Sequence, residues 1–131
     1  MTALLLDTHV FLWIQAEPER LGSARALIED DRTELFLSAA SSWEIAIKWA
    51  LGRLALPESP DHYVPNRMRL SAIAALAVSH HHALAVATLP SHHGDPFDRL
   101  LVSQAKSEGL PLVTADAALR PYDAELVWIG T

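Results

Sequence analysis

Ala3-Leu4-Leu5-Leu6-Asp7-Thr8 is an apolar run stopped by an acid and a hydroxyl. An unalternated run of this kind marks a strand buried on both faces, which belongs in a parallel sheet with helices on either side. Outward from it, Val10 to Ala16 predicts a helix that closes around Glu17-Pro18. A second helix is expected over about Glu19 to Asp31, from Leu21, Ala24, Leu27 and Ile28 at helical spacing, and then a short strand over Glu34 to Leu37. Two strands separated by helix predict βαβ connectivity.

Ala39 to Leu51 is the clearest helix: Trp43, Ala46, Ile47 and Ala50 form one stripe, and Gly52 stands where a left-handed C-terminal residue belongs. Pro57, Pro60 and Pro65 punctuate the next stretch, with a helix expected around Asp61 to Leu70 and an apolar segment near Ala74 to Val78 that reads as strand or helix. Ser79 is placed to cap a helix running to about Thr88, and Leu89 to Gly94 reads as loop. Asp95-Pro96-Phe97-Asp98 is a strong helix start, with an acid as cap and proline at the first helical position; that helix should end at Glu108, before Gly109. Leu112 to Thr114 and Leu126 to Ile129 complete the strands, with a short turn or helix opened by Asp116. The alternation predicts an α/β three-layer arrangement, a mostly parallel sheet covered by helices on both faces, in a single domain spanning 1–131.

Composition narrows the function. Half of the 131 residues are hydrophobic, enough for a sizeable core, and the absence of cysteine excludes disulfides and thiolate metal sites. The cytoplasm is the expected compartment. The apolar opening Leu4 to Ile14 is interrupted by Asp7 and His9 and is too short to span a bilayer, so neither a signal peptide nor a membrane anchor is expected. A formal charge of −6 argues against a generic nucleic-acid coat, although Lys48, Arg53, Arg67, Arg69 and Arg99 would form a local basic margin.

Four acids stand out: Asp7, Glu44, Asp98 and Asp116. Each has an ordinary reading. Asp7 would cap the helix after it and Asp116 a short turn, and Asp98 would complement a helix dipole, an effect of about 0.3 to 1 kcal/mol. Glu44 would close a capping box with Ser41, weakened because Ala39 and Ala40 already look helical, or pair with Lys48 one turn on. Jointly they mean more, because the strands of a parallel sheet deliver the residues beyond their carboxyl ends to one rim. Carboxylates gathered there repel one another and need a cation, and oxygen ligands without cysteine favour Mg²⁺, with Mn²⁺ as its substitute.

His80-His81-His82 lacks the i, i+4 spacing of a chelating pair, so helix capping or surface placement is expected. His92 and His93 lie on the loop entering Asp95 and Asp98, where one of them would meet substrate; His9 is a weaker case of the same kind. Trp13, Trp43 and Trp49 read as core or partner-facing aromatics.

The chain resembles a PIN domain, and more narrowly the VapC-type toxins of bacterial type II toxin–antitoxin systems. The resemblance is carried by Leu5-Leu6-Asp7-Thr8-His9, Ser38 to Lys48, Asp95 to Leu101 and Leu112-Val113-Thr114-Ala115-Asp116, and covers nearly the whole chain. It implies a Rossmann-like fold and a Mg²⁺-dependent ribonuclease that hydrolyses RNA phosphodiester bonds and is inhibited by an antitoxin protein. Asp7, Glu44, Asp98 and Asp116 match the family's four acids, as catalytic and metal-binding residues. Thr114, Ser38, His93 and Arg99 are expected to support them. The family also implies a homodimer within a larger toxin–antitoxin complex, with no membrane association.

Two rival readings remain from other classes. A phosphatase of the haloacid dehalogenase type also uses an aspartate after its first strand, but wants a second acid where this chain has His9. A non-catalytic partner-binding module would use the same acids only as helix caps.

Overall fold

A computed structural model describes residues 2–92 and 94–130. Five strands, β1 (Thr2–Leu6), β2 (Thr33–Ser38), β3 (Ile73–Leu76), β4 (Leu112–Thr114) and β5 (Leu126–Trp128), form one sheet in the order β3-β2-β1-β4-β5. Every pairing is parallel, with Leu5 beside both Phe36 and Leu112. The Ala74 to Val78 ambiguity resolves as strand.

The helices are α1 (Thr8–Ala16), α2 (Arg25–Glu29), α3 (Ala39–Ala50), α4 (Pro60–Leu70), α5 (His80–Ala85) and α6 (Pro96–Glu108). Side chains alternate across β1, so its leucines split between two cores. Leu4 and Leu6 pack with Val10, Phe11, Leu21, Ile28, Tyr63 and Val64 on one face, whereas Leu5 packs with Leu101, Val102, Ala105 and Leu119 on the other. Burial of β1 from both sides is the physical reason its sequence does not alternate.

Local chemistry sets most of the ends. Asp95 Oδ1 accepts from the backbone N–H groups of Phe97 and Asp98, while Gly109 closes α6 at φ 65°. Gly52 follows α3 with φ 72°. The continuous helix expected over Glu19 to Asp31 is not found: Pro18–Ala24 winds as a 3₁₀ turn, and Gly22, at φ 54° and ψ −132°, breaks the path before α2. Gly tolerates that conformation without a Cβ clash, so helical spacing of Leu21, Ala24 and Ile28 survived a kink it did not reveal. The helix begun at Ser79 also divides, with α5 ending at Ala85 and a 3₁₀ turn over Val86–Thr88. Among the described residues no helix is long and apolar enough to cross a membrane.

Strand order places the site. The chain runs from β1 outward to β2 and β3, then crosses back to lay β4 against the other side of β1. The connections after β1 and β4 therefore diverge, opening a crevice beyond their carboxyl ends, where ligands of open α/β sheets bind. Asp7 follows β1 and Asp116 stands two residues beyond β4.

Candidate active site

Asp7 is the centre of this crevice and is only 4% exposed. Its Oδ1 accepts from the Thr8 backbone N–H at 2.7 Å and its Oδ2 from the Thr114 hydroxyl, also at 2.7 Å. Thr114 Oγ1 in turn accepts from the Asp116 backbone N–H at 3.0 Å, and Asp116 Oδ1 accepts from Ala118 N–H at 2.9 Å. One chain of hydrogen bonds thus joins β1 to β4 and fixes both acids. Both line a cavity of about 310 Å³ together with His9, Trp13, Arg20 and Ala115.

Burial pushes the Asp7 carboxyl above its ordinary pKa, and the charge of Glu44 acts in the same direction; the Thr114 hydrogen bond, His9 and the Thr8 N–H oppose it. A carboxylate whose charged form is disfavoured in this way is a natural ligand for a cation.

Glu44 lies on α3 beyond β2 and is also 4% exposed. The Lys48 ammonium donates to its Oε2 at 2.8 Å. Hydrogen bonding to Glu44 raises the Lys48 pKa most, and the charges of Glu44, Asp95 and Asp98 add to it against burial. The i, i+4 reading of Glu44 is therefore the structural one. The Ser41 capping box does not form, because Ser38 is the cap of α3, its Oγ accepting from Ala40 N–H at 3.0 Å. Ser41 instead receives the Thr8 hydroxyl at 2.9 Å, tying α3 to the first turn of α1.

Asp98 sits in the first turn of α6, 9% exposed, on the same helix as the buried Leu101, Val102 and Ala105. The acids fall in two wings that are coupled through Glu44: Asp7 and Asp116 line one cavity, Glu44 and Asp98 both act on Lys48, and the charge of Glu44 also reaches Asp7. Among the described residues no group of three or more His, Asp or Glu is gathered as a ready-made chelate. The donor set is nonetheless all oxygen, as a hard divalent cation requires.

The remaining candidates fare differently. Ser38 is buried and spent on capping. Arg99 reaches back to the loop before α6, donating to the carbonyls of Pro90, Val86 and Leu89 and to the Tyr122 hydroxyl, so it clamps that loop. Arg67 donates to Gln15 Oε1 on α1, and Arg69 to Asn66, which ties two of the five expected marginal cations to α1 and α4. The expectation for His93 lies outside the described residues. His92 is exposed and packs edge-on to Tyr122 at 5.1 Å. His82 does cap: it is buried, Nδ1 accepts from Ser79 N–H at 3.0 Å, and Nε2 lies 2.8 Å from Glu108. Trp43 is 61% exposed with Phe97 edge-on at 5.2 Å, while Trp13 packs against the core.

Sequence reading missed the wall made by Trp13 and Arg20. Arg20 lies in the kinked turn after Pro18, where helical spacing carries no information about which way a side chain returns.

Known proteins share this fold. The chain is 35% identical over 130 residues to "Ribonuclease VapC22" of Mycobacterium tuberculosis, an alignment covering 93% of each chain. It is 45% identical over 64 residues to "Ribonuclease VapC16" of the same organism, spanning 49% of this chain and 45% of that protein. In fold it is similar to a chain of VapBC2 from Rickettsia felis, solved bound to a promoter DNA fragment (TM-score 0.69, 14% identity, 95% of this chain and 96% of that one). It is also similar to a chain of DNA-bound VapBC from Salmonella typhimurium (TM-score 0.67, 18% identity, 96% of each chain). The PIN domain family model matches residues 4–125, from the buried strand before Asp7 to beyond the turn capped by Asp116, and the chain belongs to that family.

Proposed function

We propose that this protein is a metal-dependent endoribonuclease, the toxin of a type II toxin–antitoxin pair, and that Asp7, Glu44, Asp98 and Asp116 form its working edge. The observation that carries this reading is Asp7: a buried carboxylate, disfavoured as an anion, at the carboxyl end of the central strand and at the switch point of the sheet. Relatives named as ribonucleases and structural neighbours solved as toxin–antitoxin complexes support the substrate and the protein partner.

Asp7 and Asp116 would hold Mg²⁺, or Mn²⁺ in its place, from one side, with Asp98 and Glu44 approaching from the other. When bound, such an ion lowers the pKa of a water molecule and offsets charge on the departing oxygen of the phosphodiester. The chain's own work is positional. Thr114 holds Asp7 Oδ2 in one orientation, its hydroxyl hydrogen committed to the carboxylate because its oxygen accepts from Asp116 N–H. Lys48 screens Glu44 from Asp98 and keeps the second wing from flying apart. Cleavage would leave a 5′-phosphate and a 3′-hydroxyl. The toxin is proposed to act in the cytoplasm as a homodimer, and an antitoxin arginine entering the acidic edge would block it by pairing with the carboxylates.

The test is cleavage of RNA by purified wild type, D7N and D98N, with Mg²⁺ and with EDTA. Cleavage by the wild type that needs Mg²⁺ and is lost in both folded variants is expected; equal cleavage by all three proteins sinks the assignment. A melting temperature indifferent to Mg²⁺ would favour a module whose acids serve only as caps.

A further inference from the structure

We propose that Arg20, seated on the Trp13 indole, holds a backbone phosphate of single-stranded RNA beside the one that is cut. The inference rests on the ribonuclease reading and assigns the substrate grip to residues other than the acids.

Arg20 is the one arginine or lysine among the described residues lining the cavity that Asp7 and Asp116 share. An RNA strand entering that cavity meets two carboxylates, in a protein of charge −6, and a cation is needed to hold the strand against them. The position is built. The 3₁₀ turn from Pro18 folds back on the end of α1, with Glu17 N–H donating to the Trp13 carbonyl and Arg20 N–H to the Glu17 carbonyl. The kink at Gly22 then sends the chain away, which leaves Arg20 over the indole, its guanidinium carbon 4.4 Å from the ring centroid.

Stacking occupies the face of a guanidinium and leaves its in-plane N–H donors pointing outward, in the fork that matches phosphate oxygens. The protein itself makes little claim on those donors. Glu17 Oε2 lies 3.6 Å from Nη1, beyond hydrogen-bond length, and both side chains are about half exposed. His9, one turn before Trp13 with ring centroids 6.3 Å apart, continues the same wall toward Asp7. The cavity thus has an acid side for chemistry and a cationic, aromatic side for the strand, the combination by which single-stranded nucleic acid is held without base reading.

The experiment compares wild type, R20A and R20K in cleavage of a short single-stranded oligoribonucleotide of mixed sequence across a salt series. The same oligonucleotide, labelled with fluorescein, is then titrated against D98N and the D98N/R20A double variant by anisotropy. R20A should raise KM about tenfold and leave kcat within about twofold, because a flanking phosphate is held alike before and during reaction. It should also flatten the slope of log KM against log salt by about 0.7, one phosphate contact on a single strand. R20K should restore the slope and only part of the affinity, since ammonium keeps the charge without the stacked plane. A merely structural role for Arg20 would not move a salt slope. Unchanged KM and slope in R20A overturn the proposal. If the wild type cuts no RNA, the ribonuclease reading fails and anisotropy decides separately: weaker, less salt-sensitive binding by D98N/R20A supports the phosphate grip, and equal binding overturns it.

Discussion

Asp7 and Glu44 are buried to the same degree, each 4% exposed, but the protein supports their charges in opposite ways. Glu44 receives a cation from its own helix, Lys48 at 2.8 Å. Among the described residues, the hydrogen bonds to Asp7 come from neutral donors, the Thr8 N–H and the Thr114 hydroxyl, and burial pushes its carboxyl upward despite them and despite His9. Hydrogen bonds orient a carboxylate without neutralising it, so Asp7 is fixed in direction while its charged form stays disfavoured. The difference separates a buried carboxylate paired with a cation of its own helix from one held by neutral donors.

The sharpest way to break this contrast is D7N, which removes the charge while retaining shape. RNA cleavage should fall by at least about a hundredfold, the scale on which loss of a preorganised electrostatic group is felt, while circular dichroism shows the fold intact. Next is T114V, which leaves Asp7 Oδ2 without its donor. Urea unfolding at neutral pH should show a loss of about 1 to 3 kcal/mol, because a buried acceptor loses its partner. The opposite wing is probed by K48Q. Lys48 is 40% exposed, so its loss should cost only about 1 kcal/mol, and the melting shift produced by Mg²⁺ should grow because Glu44 no longer has an internal cation. Equal Mg²⁺ shifts in wild type and K48Q would erase the distinction between the wings.

The smallest effect is the pH dependence in EDTA. Burial raises the folded pKa of Asp7 above its ordinary 3.8, so the folded state binds that proton more tightly than the unfolded chain. Stability linked to it is fully present below the ordinary value and is lost as pH rises through the raised one. Wild type should therefore weaken relative to D7N as pH climbs from 3.8 toward neutrality, and parallel unfolding curves for the two proteins would contradict this.

Much of the fold was legible because its signals are local. The unalternated Leu4-Leu5-Leu6, the Asp95-Pro96 helix start, the Ser79 cap and the glycines at 52 and 109 each act within a few residues, and each marks an element that forms, although the helix from Ser79 stops at Ala85. The kink at Gly22 was not legible, since a glycine within helical spacing is compatible with a helix that continues and with one that stops. Glu44 shows the same limit. Ser41 and Lys48 were both visible in sequence as partners, with the Ser41 box already weakened by Ala39 and Ala40, and the fold settled it: Ser38 caps α3 and Ser41 accepts from the Thr8 hydroxyl, 33 residues away.

Composition, capping and period were enough to say which residues carry charge, where four of the five strands and most helices lie, and that the first strand is buried on both faces. The return of β4 beside β1, the Thr114 hydroxyl on Asp7 and the place of Arg20 over Trp13 came from the assembled fold. Those outcomes depend on contacts between distant segments, whose energies no single stretch of chain contains.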